Sequence, residues 1–238
     1  MTVTDGAAFW GGAAAEKQTM DIENRKIPTH EVTYSRLRDM ILYGHLEPGA
    51  AVTIQGLVAS LEAGMTPVRE AIRRLSAEGA LEAQGNRRVL VPKMTEQVLD
   101  QVAFARLTIE PRLAELAASH LSADRISTLQ RIDNTVDRAV QAGDIPGYLE
   151  ANHAFHFCLY EASDAPVLVD MARSMWLRFG PALRVVCARA GRDALPDRHF
   201  DALAAMRNGD AQALKAAIES DIAQGVDQVR AALAQGEI

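Results

Sequence analysis

Two cysteines in 238 residues, Cys158 and Cys187, offer no basis for a disulfide framework, and without CxxC spacing they do not form a zinc-finger pattern. Free, mostly buried thiols are expected. No stretch reaches the roughly 18 consecutive apolar residues of a membrane-spanning helix. The first residues lack the basic start and apolar core of a secretory signal, so a cytoplasmic protein is predicted. Positive charge is also not in excess: 25 Lys plus Arg stand against 31 Asp plus Glu, a net charge of -6. A chain that is basic throughout is excluded, and any nucleic-acid surface must be local. Aromatics are only 5%, while 48% of residues are hydrophobic, a composition rich in Ala and Leu that suits close helix packing.

Charge by segment locates that surface. Residues 28–93 carry eight basic and seven acidic side chains (net +1), whereas residues 95–238 carry fourteen and twenty (net -6). The length permits two domains. Residues 1–27 mix Gly, Ala, Thr and scattered charges without a period and are predicted to be a disordered tail, despite Phe9 and Trp10. From Thr29, Val32, Leu37, Ile41 and Leu42 mark an amphipathic helix that must stop by Gly44, ahead of the turn residues Pro48 and Gly49. Thr53 can cap a second short helix with Leu57, Val58 and Leu61 inward.

The run at 65–79, MTPVREAIRRLSAEG, is the centre of this first domain. Thr66 reads as its N-cap with Pro67 at the first helical position, Val68, Ile72 and Leu75 form a buried stripe, and Gly79 closes it. Its other face carries Arg69, Arg73 and Arg74, which can reach phosphates and base edges from a major groove. Such a face is also compatible with an ordinary solvated cationic surface. The residues that follow favour the first reading. Segments 80–83 and 89–91 read as two strands around the turn 84–87, giving a β-hairpin wing tipped by Arg87 and Arg88. Three helices and a wing over residues 28–93 predict a winged helix-turn-helix.

Beyond a brief linker at Pro92 and Lys93, helical periodicity covers 95–120, 124–142, 146–162, 165–190, 196–208 and 210–235. Breaks fall at Gly143-Asp144, Ser163-Asp164, Gly191-Arg192 and Gly209-Asp210. The expected fold class is mainly α, with residues 94–238 forming an all-α bundle of six or seven helices. Asn152 and His156 stand four apart on one helix, projecting from the same face, a geometry suited to one metal ion. His153 is an alternative ligand to Asn152.

These features together resemble the GntR family of bacterial transcription regulators, in its FadR-type subfamily with an FCD (FadR C-terminal) effector domain. The resemblance is carried by the run from Leu37 through Tyr43-Gly44-His45-Leu46-Glu47-Pro48-Gly49, by TPVREAIRRLSAEGAL at 66–81, and by Arg106 with Glu110. Asn152 with His156, and His199 followed by Gly209-Asp210, complete it. It implies a ligand-responsive DNA-binding homodimer acting on double-stranded operator DNA as a repressor or activator. Base and backbone contacts would come from Gln55, Met65, Thr66, Arg69, Arg73, Arg74, Arg87 and Arg88. Gly64, Met65 and Gln55 depart from the family pattern, which usually places polar or basic residues there, so weaker and less salt-sensitive binding is expected.

In the second domain the resemblance implies a divalent metal, zinc, nickel or manganese, held by Asn152, His156, His199 and Asp221. The family usually has aspartate at the first of these positions and histidine at the last. A small organic acid would complete the coordination and meet Arg106. Two other readings stay open at this level: interior histidines satisfied by Asn152 and Asp221, and an Arg106 that merely pairs with Glu110. In function, the alternatives are a metal-dependent enzyme acting on a small carboxylate, which lacks a defined general base or nucleophile motif, and a metal-ion sensor without organic effector.

Overall fold

The computed structural model describes residues 29–190 and 198–236. The expected tail at 1–27 and the break at Gly191-Arg192 lie outside the described residues. Helix α1 (Thr29–Leu42) buries Thr33, Leu37, Ile41 and Leu42. Val32, expected to face inward, is instead 40% exposed. Its place in the stripe is taken by Thr33, whose hydroxyl donates to the Thr29 carbonyl at 2.8 Å and so carries no unsatisfied group into the core.

Strand β1 (Ala51–Thr53) is a three-residue element that the sequence pattern did not reveal. Helix α2 (Ile54–Leu61) follows, capped as expected by Thr53, which accepts from the Gly56 amide at 3.0 Å. Helix α3 (Met65–Ala77) begins earlier than predicted. Gly64, in extended conformation and with no side chain to cap, is its N-cap; Thr66 and Pro67 lie inside the first turn. Pro67 is tolerated there because the amides of that turn have no intrahelical acceptor anyway. Gly79, at φ +73°, closes the helix, and Ala80 donates back to Leu75 at 2.8 Å.

The wing consists of β2 (Glu82–Gln84) and β3 (Arg88–Leu90), so its first strand starts two residues later than the predicted segment at 80–83. Ala80 and Leu81 are buried core residues instead. β3 is the centre of an antiparallel sheet in the order β1-β3-β2, with Val89 opposite both Val52 and Ala83.

The second domain has six α-helices among the described residues: α4 (Glu96–Ala117), α5 (Ala123–Ala142), α6 (Ile145–Tyr160), α7 (Pro166–Ala190), α8 (Arg198–Asn208) and α9 (Ala211–Ala234). Thr95, Ser122, Asp144 and Asp210 cap α4, α5, α6 and α9, each accepting an amide from the first turn. Gly143 ends α5 in the left-handed conformation. α4 and α9 form one packed pair and α5 and α6 another, with α7 between the bundle and the head. There a Cβ on Gly180 would stand 3.2 Å from the Leu42 carbonyl oxygen. Arg184 crosses Gly44 to within 3.5 Å of Glu47, and the Arg178 guanidinium lies over Gly79. One apolar core runs through head and bundle.

Candidate nucleic-acid interface and metal centre

In the head, α3 buries Val68, Ala71, Ile72 and Leu75 against α1 and α2 and turns its other side to solvent. Met65, Thr66, Arg69 and Arg73 are exposed there, with Gln55 exposed at the start of α2 and Arg87 and Arg88 exposed at the wing tip. Arg69 makes no hydrogen bond or ion pair among the described residues and is free to reach a ligand. Arg73 is paired with Glu70 one turn earlier, at 2.5 Å, but that pair is solvent-facing. The Glu70 carboxyl is held below its usual range by this bond. Arg74 is placed differently. It is half-buried, donates to Glu31 at 2.8 Å and lies over the Tyr34 ring at 3.9 Å, so it ties α3 to α1.

In the bundle, α6, α8 and α9 bring His156, His199 and Asp221 together, with ligand atoms within 4.8 Å of one another. A cation bound at about 2.0–2.2 Å from each donor needs them roughly 3–4 Å apart, so small side-chain rotations suffice. Asn152 is buried one turn before His156 and lines the adjoining cavity. His153 points away from this centre, packed on Phe157 and Trp176 and edge-on to Tyr43 of the head. Burial holds its ring neutral, with the pKa lowered to about 3.

Hydrogen bonds around the two histidines fix their tautomers. Glu110 accepts from Arg106 Nε at 2.6 Å, from Trp176 Nε1 at 3.0 Å and from the Tyr160 hydroxyl at 2.8 Å. Tyr160 has spent its one proton on Glu110, so its oxygen accepts from His156 Nδ1, 3.0 Å away. Nδ1 therefore carries the His156 proton. Burial lowers the pKa of this ring against the opposing pull of Asp221, so it stays neutral and Nε2 bears a lone pair. On His199, Nδ1 donates to Asp133 at 2.9 Å, which again leaves Nε2 with the lone pair. Phe155 stacks on that ring at 3.9 Å and holds its plane.

The consequence is an unresolved meeting of acceptors. His156 Nε2 is buried without a hydrogen-bond partner, and Asp221 Oδ2 lies 3.2 Å away. Burial opposes ionisation of Asp221, but its surroundings, the Arg106 charge among them, outweigh it and hold the carboxyl below its usual range. A lone pair facing a carboxylate at that distance is repulsive unless a cation stands between them. The donor set, two imidazole nitrogens and a carboxylate, fits zinc, nickel or manganese.

Beside this centre lies a cavity of about 40 Å³. Arg106 and Asn152 line it, together with Trp176, Phe179 and residues of α9 from Asp221 to Gln228. Arg106 is held between the faces of Trp176 and Phe179, 4.6 and 4.4 Å from their centroids, and pairs with Glu110 as well. The pairing reading of Arg106 is what the geometry shows, since Nε and one terminal nitrogen serve Glu110, and the residue also lines the cavity.

Sequence reasoning missed Tyr160, Trp176 and Asp133. Tyr160 had a signal, since it stands four residues after His156. Asp133 had one too, a carboxylate within the buried stripe of Leu129, Val136 and Ala139. Trp176 had none.

Comparison with known proteins agrees with this architecture. The bacterial regulatory proteins of the gntR family match over residues 29–91, and the FCD domain matches over residues 101–224, more than half of the chain. The HTH-type transcriptional regulator McbR of Escherichia coli (strain K12) is 30% identical over 147 residues, which cover 62% of this chain and 66%, just under two thirds, of that protein. The HTH-type transcriptional repressor RspR of the same organism is 22% identical over 218 residues, 89% of this chain and 96% of its own. The solved structure of E. coli McbR/YncC has the same fold, with a TM-score of 0.81 at 24% identity, covering 86% of this chain and 98% of that one. These are regulators rather than enzymes, and the metalloenzyme alternative falls away with them. Winged head, helical bundle and family match all lead to one assignment: the chain belongs to the gntR family of bacterial regulatory proteins and carries an FCD domain.

Proposed function

We propose that this protein is a DNA-binding transcription regulator, acting as a homodimer that sets two winged heads on a two-fold-symmetric operator and answers to a small organic acid through a divalent metal. The observation that carries the DNA-binding part is α3: its inner stripe is buried while Arg69 stands exposed and unpaired on the outer side, next to Thr66 and Arg73. A guanidinium so placed can grip a guanine edge bidentately. Arg87 and Arg88 on the wing are positioned for the phosphate backbone or minor groove. The repressor name of RspR makes repression the first mode to test.

The homodimer draws support from Phe104 on α4 and Val167 and Met171 on α7, large apolar side chains left in solvent on two helices that pack together. A second copy is the occupant that a symmetric operator requires.

His156, His199 and Asp221 would hold the metal, with Asn152 or the effector carboxylate adding a further oxygen. When bound, the metal would supply a Lewis-acidic anchor for that carboxylate. Arg106, charged because Glu110 outweighs the effect of burial, would meet the acid from α4. Effector binding shifts DNA affinity only by its preference for one head placement over the other. Gel-shift titration of the full chain against the DNA flanking its own gene tests the central reading. Salt-sensitive, site-selective binding is expected; its absence sinks the proposal.

A further inference from the structure

The cavity has two chemically different ends, and the far end faces a group that the metal reading leaves unexplained. Along α9, Asp221, Gly225 and Gln228 fall at i, i+4 and i+7 and so share one face, with Asp221 and Gln228 about 10 Å apart at 1.5 Å per residue. Asp221 marks the metal end. At the other, Gln228 lines the cavity, and its side-chain Nε2 is shut off from solvent without a hydrogen-bond partner among the described residues. A buried amide donor left unpaired is destabilising unless some partner arrives. The rest of the lining is mostly apolar, Trp176, Phe179, Leu183 and Ile222, with Tyr148 and Gln224 as further polar residues.

Gly225 adds a second observation. It stands inside a regular helix with no left-handed backbone angle, so conformation does not demand glycine. Packing does not demand it either: a Cβ there would lie 3.8 Å from the Phe179 ring, ordinary contact. What the missing methyl provides is room in the cavity. The volume holds about three water-sized spheres, roughly the bulk of a four-carbon acid.

We infer that Gln228 is the specificity-determining residue of the effector site, and that it selects a short monocarboxylic acid with a neutral oxygen, hydroxyl or carbonyl, at the end away from the carboxylate. This inference rests on the acid reading above. The carboxylate goes to the metal and Arg106. The other end of the acid meets an amide donor, and among the described residues lining the cavity the one cation is Arg106. A second carboxylate there would be buried without a counter-charge, which disfavours dicarboxylates. A plain methyl end would leave the Gln228 amide unsatisfied, which disfavours simple fatty acids of the same length.

The test uses three four-carbon acids that differ only at the far end: butyrate, 4-hydroxybutyrate and succinate. Each is titrated by calorimetry into the zinc-loaded full-length protein. The expected result is that 4-hydroxybutyrate binds at least tenfold more tightly than the other two, and that in Gln228→Leu butyrate and 4-hydroxybutyrate bind alike. Equal binding of butyrate and 4-hydroxybutyrate by the natural chain overturns the inference and leaves the acid reading standing, as does a preference that survives in Gln228→Leu. If none of the three binds, the acid reading itself fails and the inference goes with it. A circular dichroism melt of Gln228→Leu, matching the natural chain, distinguishes lost selectivity from lost fold.

Discussion

His199 Nδ1 lies 2.9 Å from Asp133 Oδ1, and this one bond between α8 and α5 decides which ring nitrogen is left for a metal. A carboxylate behind a ligating imidazole fixes the tautomer and raises the basicity of the opposite nitrogen. Asp133→Asn keeps the shape but removes the charge, and its amide can present N–H where the imidazole needs an acceptor. Zinc affinity should then fall about 10–100-fold, the range found for such supporting partners. Competition with a chromogenic chelator measures this; an unchanged affinity would show that His199 is not a ligand.

Metal removal should be visible as lost stability. A ligand that binds only the folded state at a hundredfold excess over its Kd contributes about 2.7 kcal/mol. For a chain of this size each kcal/mol moves the melting temperature by roughly 2–4 °C. Zinc added to chelator-treated protein should therefore raise the midpoint by about 5–10 °C, and His199→Ala should abolish that rise. A midpoint indifferent to both zinc and chelator would favour plain interior histidines instead.

How far the sequence reached follows from the range of the forces involved. Thr53, Ser122, Asp144 and Asp210 act on amides two or three residues away, so helix starts were legible in the order of residues. The start of α3 was not, because Gly64 caps it with no side chain and Thr66, a better capping residue, stands two positions on. Likewise β1 is too short to show alternation and exists because β3 offers it an edge. In the candidate site the clustering of His156, His199 and Asp221 was expected from family resemblance, and the shared face of Asn152 and His156 from local spacing. Their orientation was not: it depends on Asp133 and Trp176, each bonded to a residue 66 positions away. The commitment of Arg74 to Glu31, 43 positions distant, was hidden for the same reason.

That commitment separates two arginines on the same helix. Arg69→Ala should abolish selective operator binding with little change in stability, since the side chain is exposed and has no hydrogen bond or ion pair to lose among the described residues. Arg74→Ala should do the reverse. It removes a half-exposed ion pair and a cation–π contact worth about 0.5–1 kcal/mol, so a small loss of thermal stability is expected with operator selectivity retained. Gel shifts on specific and scrambled DNA, run beside thermal melts, decide the matter. Selectivity kept by Arg69→Ala would mean that the reading face of α3 was misplaced.

Gly225→Ala should make the protein more stable and less responsive at once. Replacing a mid-helix glycine by alanine favours the helix by about 1 kcal/mol when the site accepts a methyl. Here it does, because the added Cβ meets only the Phe179 ring, at 3.8 Å. The same methyl enters a cavity of about 40 Å³ and takes up space that the proposed effector would need. The melting temperature without effector should rise by a few degrees, and the acid concentration needed to shift operator binding should rise at least tenfold. A stabilised variant with undiminished response would place the effector elsewhere than beside α9. A destabilised one would mean that the contact with Phe179 is tighter than ordinary packing and that Gly225 is there for shape.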